Sequence, residues 1–276
     1  MSPVKKVLGW IAEHAILVAL AIIFMFPVVF VLLTSFMGTN QTLTGSFWPS
    51  PFQWHNYTDA FTSAPLLRWF TNSFLYAGLG TIFMLVSSVP MAYVLARTRT
   101  KWSGAIFFVV VIAMLLPPQV TQVPLYIMWA NLGLTGTLWP LILPSLFGDA
   151  FSIFLLRQFL ISIPSEYVDS ARVDGCGEWG VLMRVIVPMA KPGIAAASIF
   201  MFFGCWNDYY GPLLYASQND AAWPVAYGLA TFHGSHATNW GLTMAVTILA
   251  SVPVVIVFFF AQKIFVQGIT LTGIKG

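Results

Sequence analysis

Strongly apolar runs of about 20 residues recur along the chain, and short stretches between them hold most of its charge. A helix rises about 1.5 Å per residue, so about 20 residues cross the roughly 30 Å hydrocarbon layer of a bilayer. Six stretches have that length: 15–33, 74–96, 104–129, 138–160, 193–214 and 242–261. None shows the alternation over about ten residues that a membrane barrel needs, and in lipid each backbone group must be satisfied within its segment. The pattern predicts an all-α polytopic membrane protein with six transmembrane helices in one transmembrane domain over 1–276.

Composition removes the soluble alternative. The 276 residues are 58% hydrophobic and 8% charged, against about 25% charged in an ordinary soluble domain, so lipid is the solvent. A formal net charge of +3 is too small to argue for nucleic acid. Cys176 and Cys205 have no C-x-x-C spacing and suggest neither a zinc site nor a disulfide framework. Lys5 and Lys6 ahead of the first run resemble the start of a secretory signal. The run is longer than a signal core and no small-x-small cleavage pattern follows, so a retained span is expected.

Several spans are interrupted. The third carries Pro117-Pro118-Gln119 and Gln122-Val123-Pro124, each read as a break; the fourth carries Pro140, Pro144 and Asp149; the fifth carries Trp206-Asn207-Asp208. Irregular backbone at membrane depth survives only against protein or water, so these segments are expected to face a cavity. Asp149 and Asp208 are acidic residues within spans, where an ionisable group is costly. Asp149 reads as a helix cap or packing residue. Asp208, with Asn207, stays open between lining a solute path and packing between helices.

Orientation follows from the basic residues, which stay on the cytoplasmic side when they flank spans. Lys5 and Lys6, then Arg97, Arg99 and Lys101, then Arg157, Arg172, Arg184 and Lys191, and finally Lys263 and Lys275 fall on one side; Arg68 alone falls on the other. Both termini are therefore expected in the cytoplasm. The outer segment 34–71 is rich in Ser, Thr, Pro and aromatics, with Trp48, Trp54 and Trp69 suited to a membrane interface.

The least lipid-like stretch, 163–188, joins spans four and five on the cytoplasmic side. Pro164 suits a helix start, Glu166 complements the positive end of the dipole, and Gly175 reads as the stop. A helix of about three turns is predicted, then a second amphipathic stretch from Glu178 that Pro188 halts. Ala171 lies three or four positions beyond Val168 and Tyr167, which makes a narrow knob on one face.

Here the chain resembles the inner-membrane permeases of ATP-binding-cassette importers, in the carbohydrate branch of maltose-type permeases. The family pattern reads Glu-Ala-Ala, three residues, Gly, nine residues, Ile, one residue, Leu-Pro. The matching positions are Asp169-Ser170-Ala171, Gly175, Val185, Val187 and Pro188, with the spacing intact and conservative departures at four of them. Ile163-Pro164-Ser165-Glu166, Ala190-Lys191-Pro192, Asn72-Ser73, Ala92-Tyr93-Val94-Leu95-Ala96-Arg97 and the Gly-rich tail from Phe265 to Gly276 extend the likeness over almost the whole chain.

The resemblance implies a permease that forms half of a sugar path in the cytoplasmic membrane of a prokaryote. It implies a second permease subunit, a dimeric ATPase that holds ATP and Mg, and an extracytoplasmic solute-binding protein met by the loop 216–240. The short helix would be the coupling element, docking through Glu166, Asp169, Ser170, Ala171, Asp174 and Gly175. Sugars are held by amide and carboxylate hydrogen bonds and by ring stacking, so Trp206, Asn207, Asp208, Tyr209 and Tyr210 are candidate path residues. No Gly-x-x-x-x-Gly-Lys-Ser/Thr loop occurs, so the chain is not expected to hydrolyse ATP itself. His233-Gly234-Ser235-His236 supplies two ligands without a third, and no metal is expected. The alternatives are an ion-coupled secondary transporter, which often shows internal repeats that are not evident here, and a membrane-embedded enzyme, for which no nucleophile motif is present.

Overall fold

The computed structural model describes residues 3–98, 101–235 and 239–272, and all regular structure among them is helical. Arg99, His236 and the 273–276 end of the tail, with Lys275, lie outside the described residues. The helices are α1 (Pro3–Thr34), α2 (His55–Ser63), α3 (Leu66–Arg97), α4 (Ser103–Leu115), α5 (Gln119–Asn131), α6 (Trp139–Ile142) and α7 (Ala150–Ser162). They continue as α8 (Ser165–Val173), α9 (Glu178–Val181), α10 (Val187–Met189), α11 (Lys191–Trp206), α12 (Tyr210–Tyr215), α13 (Val225–Ser235) and α14 (Trp240–Thr272).

Among the described residues four helical runs are long and apolar enough to cross a bilayer: Glu13–Thr34, Leu66–Arg97, Trp139–Ser162 and Trp240–Gln262. Two more crossings result if α4 with α5, bent by 93°, and the run from α9 to α11, bent by 79°, each count as one span. The first bend has a local cause. Leu116 is extended ahead of Pro117, as the ring of a following proline requires, and α4 ends there.

Two expected breaks fall elsewhere. Pro124 does not interrupt the chain, because α5 runs through it. Its missing N–H orphans one carbonyl, that of Val120, and the bonds on either side carry the helix. Nor does Pro188 halt the stretch from Glu178, which continues to Met189 and turns at Ala190. A proline ring crowds the carbonyl four residues earlier, here that of Arg184. The backbone answers by widening into a π-helical turn over Leu182–Ile186, with the Val187 N–H bonded to Leu182 O. The fifth run is shorter than expected: α11 stops at Trp206 and α12 starts anew at Tyr210.

The described residues pack as two compact units, one up to Leu66 together with Leu229–Ser251, the other of Leu67–Gly228 together with the chain from Val252 onward. In the first, Glu13–Thr34 buries none of its apolar window within the chain. Below it Asn56 Nδ2 donates to Ser35 O (2.9 Å) and Met37 O (3.0 Å), and the Ser35 and Tyr57 hydroxyls meet at 2.7 Å. Gly241 opens α14 against this loop, where an added Cβ would lie 2.0 Å from Met37 O. His233 packs edge-on against Trp240 at 4.9 Å.

In the second unit α3 is the central helix. Ser73, Ala77, Met84, Ser88, Ala92 and Leu95 are all buried and recur every three, four or seven positions, one stripe of a helix. Trp69 lies on the same helix. It was expected at the membrane interface with Trp48 and Trp54, but it is buried against Gly228, where an added Cβ would come within 2.3 Å of its ring. Trp48 and Trp54 are exposed.

α3 also heals the interrupted fourth span. The 3₁₀ turn Leu143–Phe147 ends at Gly148 (φ +100°). Ser87 Oγ donates to the Ser145 carbonyl (2.9 Å) and the Asp149 N–H donates to Ser88 Oγ (3.2 Å). Two adjacent serines thus tie the break to α3: Ser88 satisfies the Asp149 N–H, and Ser87 adds a second bond to the Ser145 carbonyl that already accepts the Gly148 N–H.

Candidate functional site

The elbow between α7 and α11 is built as the residue pattern suggests. Pro164 precedes α8, Glu166 sits in its first turn and Arg172 in its last, each complementary to the nearer dipole end. The helix closes in a Schellman motif: the Gly175 N–H bonds Arg172 O and the Cys176 N–H bonds Ala171 O, both at 3.0 Å. Gly175 has φ +83°, the left-handed conformation the motif demands. Ala171 and Cys176, the pair that flanks this turn, both pack into the unit's apolar core.

The faces of α8 differ from one expectation. Val168 and Ala171 are buried, at 3% and 8% exposure, so the small side chain of Ala171 lets α8 approach its own core rather than forming a knob for another protein. Glu166, Asp169, Ser170, Asp174 and Gly175 are exposed, as is Tyr167. What α8 presents is therefore an acidic strip that ends in a bare glycine turn.

Polar contacts brace the elbow. Arg172 donates to Glu178 Oε1 from Nε (2.9 Å) and Nη2 (2.8 Å), and its Nη1 lies 3.6 Å from Asp169. Its hydrogen bond to the Glu178 carboxylate holds the Arg172 guanidinium above its ordinary pKa. Glu178 Oε2 in turn accepts the Tyr93 hydroxyl at 2.6 Å. One turn further along α3, Arg97 Nη2 donates to Leu160 O (2.6 Å) and to Ile163 O at the end of α7. Arg157 donates to Leu95 O (3.2 Å) and lies 3.8 Å over the Phe107 ring. Arg97, Arg157 and Arg172, read as orientation markers, thus also tie helix ends together.

Deeper in the same unit, a cavity of about 410 Å³ has Tyr76, Asp149, Ser152 and Asp208 as its polar lining, beside Phe151 and Phe200. Asp208 closes the gap between α11 and α12. Its Oδ1 accepts the Gly211 N–H and its Oδ2 the Tyr76 hydroxyl, both at 2.9 Å. The residue is at once an interhelical contact and part of the cavity wall. Asp149 caps α7 by accepting the Ser152 N–H at 2.7 Å.

The other candidate path residues lie apart from this cavity. Trp206 is 2% exposed and lies among the rings of Phe70, Phe74 and Phe202 at 6.2, 4.9 and 5.7 Å; it packs rather than lines. Asn207 is exposed and folds its Nδ2 back to Phe203 O (2.9 Å). Tyr209 lies beside Tyr227 (5.7 Å), and the Tyr210 hydroxyl is 3.4 Å from Gln122 Oε1. No group of three or more His, Cys, Asp or Glu among the described residues could hold a metal ion.

Sequence reasoning passed over Tyr76, Tyr93 and Glu178, and the pair Ser87-Ser88. Their signal was polarity inside or at the end of an apolar run, which marks a buried partner without naming it.

Residues 88–271 match the family described as binding-protein-dependent transport system inner membrane component. The arabinooligosaccharides transport system permease protein AraQ of Halalkalibacterium halodurans is 30% identical, over 93% of each chain. The diacetylchitobiose uptake system permease protein NgcG of Streptomyces coelicolor is 32% identical, over 91% of this chain and 84% of that one. The crystal structure of a bacterial ABC transporter involved in the import of the acidic polysaccharide alginate superposes with a TM-score of 0.81 at 22% identity, over 95% of this chain and 98% of that one, which shows the fold. The chain belongs to the binding-protein-dependent transport system inner membrane components, the membrane permeases of ATP-binding-cassette importers.

Proposed function

We propose that this chain is the six-span subunit of a sugar importer, that it forms half of the translocation path, and that α8 is the helix through which a partner ATPase drives it. The observation that carries this reading is the braced elbow, which presents Glu166, Asp169 and Asp174 on its outer surface and ends in the Gly175 turn. An acidic strip on a short rigid helix suits a cleft with a cationic rim. ATP and Mg belong to the ATPase, a second permease completes the path, and an extracytoplasmic binding protein delivers the solute. The distribution of basic residues supports cytoplasmic termini and a cytoplasmic elbow, with α4–α5 and the run from α9 to α11 as bent spans.

The substrate class rests on the relatives, whose names specify arabinooligosaccharides, diacetylchitobiose and lactose. A mono-, di- or oligosaccharide, or a related polyol or glycerol-phosphate, is the class proposed. The test is to co-express the chain with its partner subunits, reconstitute the complex in vesicles, and measure uptake of a panel of labelled arabinooligosaccharide, diacetylchitobiose, lactose and glycerol-phosphate. Uptake that requires ATP inside and the ATPase subunit is the expected result; transport by this chain alone, driven by an ion gradient, would falsify the reading.

A further inference from the structure

Docking at α8 is productive only if its displacement reaches the spans, and the side chains of the elbow define a route. α3 grips the elbow at two points one turn apart. Arg97 holds the carbonyls of Leu160 and Ile163, where the C-terminal end of α7 favours a cation. Tyr93 holds Glu178, Glu178 holds Arg172, and Arg172 reaches Asp169 on the docking face. Tyr93 is 3% exposed, and its ring packs with the elbow's apolar residues. Packing alone needs no hydroxyl, yet this one is aimed at a carboxylate.

The rest of α3 makes polar contact at each level above. Ser87 and Ser88 bond the break before α7, and Tyr76 bonds Asp208 on the cavity wall. At the outer end Asn72 Nδ2 donates to Ala221 O and Trp223 O, and Ser73 Oγ accepts the Val225 N–H. The helix runs from Leu66 to Arg97 and passes through Pro90 without ending, so Tyr93 and Tyr76 are separated by about 26 Å along one helix at about 1.5 Å per residue.

We propose that α3 carries the displacement of α8 to the cavity, and that the Tyr93 hydroxyl is the positioning contact that couples the two. Tyr93 touches neither solute nor nucleotide; it acts by holding Glu178 and, through it, Arg172. This inference rests on the reading of α8 as the ATPase dock.

The test uses the assembled complex, with spin labels at Leu67→Cys, at the outer end of α3, and Phe147→Cys, in the break before α7, both highly exposed, and Cys176→Ala to leave the buried Cys205 as this chain's one native cysteine. Double electron–electron resonance compares the nucleotide-free and ATP–vanadate-trapped states. The expected wild-type result is a nucleotide-dependent shift in the label distance. Tyr93→Phe keeps the ring and should reduce the shifted population about three- to tenfold, the scale of one hydrogen bond to a charged group discounted for exposure, while the ATPase still co-purifies. Glu178→Ala should lose at least as much, and the double variant no more than Glu178→Ala. A full shift in Tyr93→Phe, or losses that add in the double variant, overturns the role of Tyr93 and leaves the dock standing. No shift in the wild type with the ATPase bound sinks the dock itself.

Discussion

Replacing Gly175 by alanine leaves the side-chain contacts of α8 in place and changes only the backbone's preference. Its φ is +83°, and no atom lies within 4 Å of an added Cβ. An L-residue with a side chain held in the left-handed region costs about 1–2 kcal/mol, so the closed turn should lose about a factor of 5–30 in its local equilibrium. Asparagine tolerates this conformation better and should lose less. Proline cannot adopt it and has no N–H for Arg172 O; the Cys176 bond to Ala171 O goes with the turn. Each of these two bonds contributes about 0.5–1.5 kcal/mol net. Hydrogen-exchange mass spectrometry on peptides from 165–181 of the assembled transporter should therefore rank protection as wild type, then Gly175→Asn, Gly175→Ala and Gly175→Pro. ATP-driven uptake should fall in the same order. Alanine and proline variants as well protected as the wild type would refute the argument that the turn holds α8 in shape.

Three further outcomes follow from the packing. Gly228→Ala places a methyl within 2.3 Å of the buried Trp69 ring, and should cost about 1–3 kcal/mol of overpacking, read as a lowered Tm in detergent. Asp208→Ala strands the Tyr76 hydroxyl and the Gly211 N–H and should destabilise by about 1–3 kcal/mol, whereas exposed Asn207→Ala should stay within about 0.5 kcal/mol; equal effects in the same melting assay would contradict the assignment. Ala171→Leu should raise hydrogen exchange throughout α8 even without the ATPase, because the side chain points into this chain's own core; unchanged exchange in the isolated subunit would place Ala171 at the surface after all.

The places where sequence and structure agree are those where the cause is local. Apolar length marks the runs that can cross a bilayer, Pro117 forces Leu116 extended, and a glycine after an amphipathic stretch ends α8 at Gly175. Each signal acts within a few residues. Pro124 and Pro188 show the limit even of local rules, since α5 spans one and a π-helical turn absorbs the other.

Which face each helix turns inward was decided only in three dimensions. In water an apolar stripe against a polar one points a helix at its core. In lipid the outward face is apolar too, so Trp206 and Trp69 carry no mark of their burial. The residues that settle the arrangement are polar ones whose partners lie far along the chain: Tyr93 with Glu178, Tyr76 with Asp208, Ser88 with Asp149. The chain alone announced that such groups needed partners, because an unsatisfied polar atom in hydrocarbon is costly; only folding chose which ones.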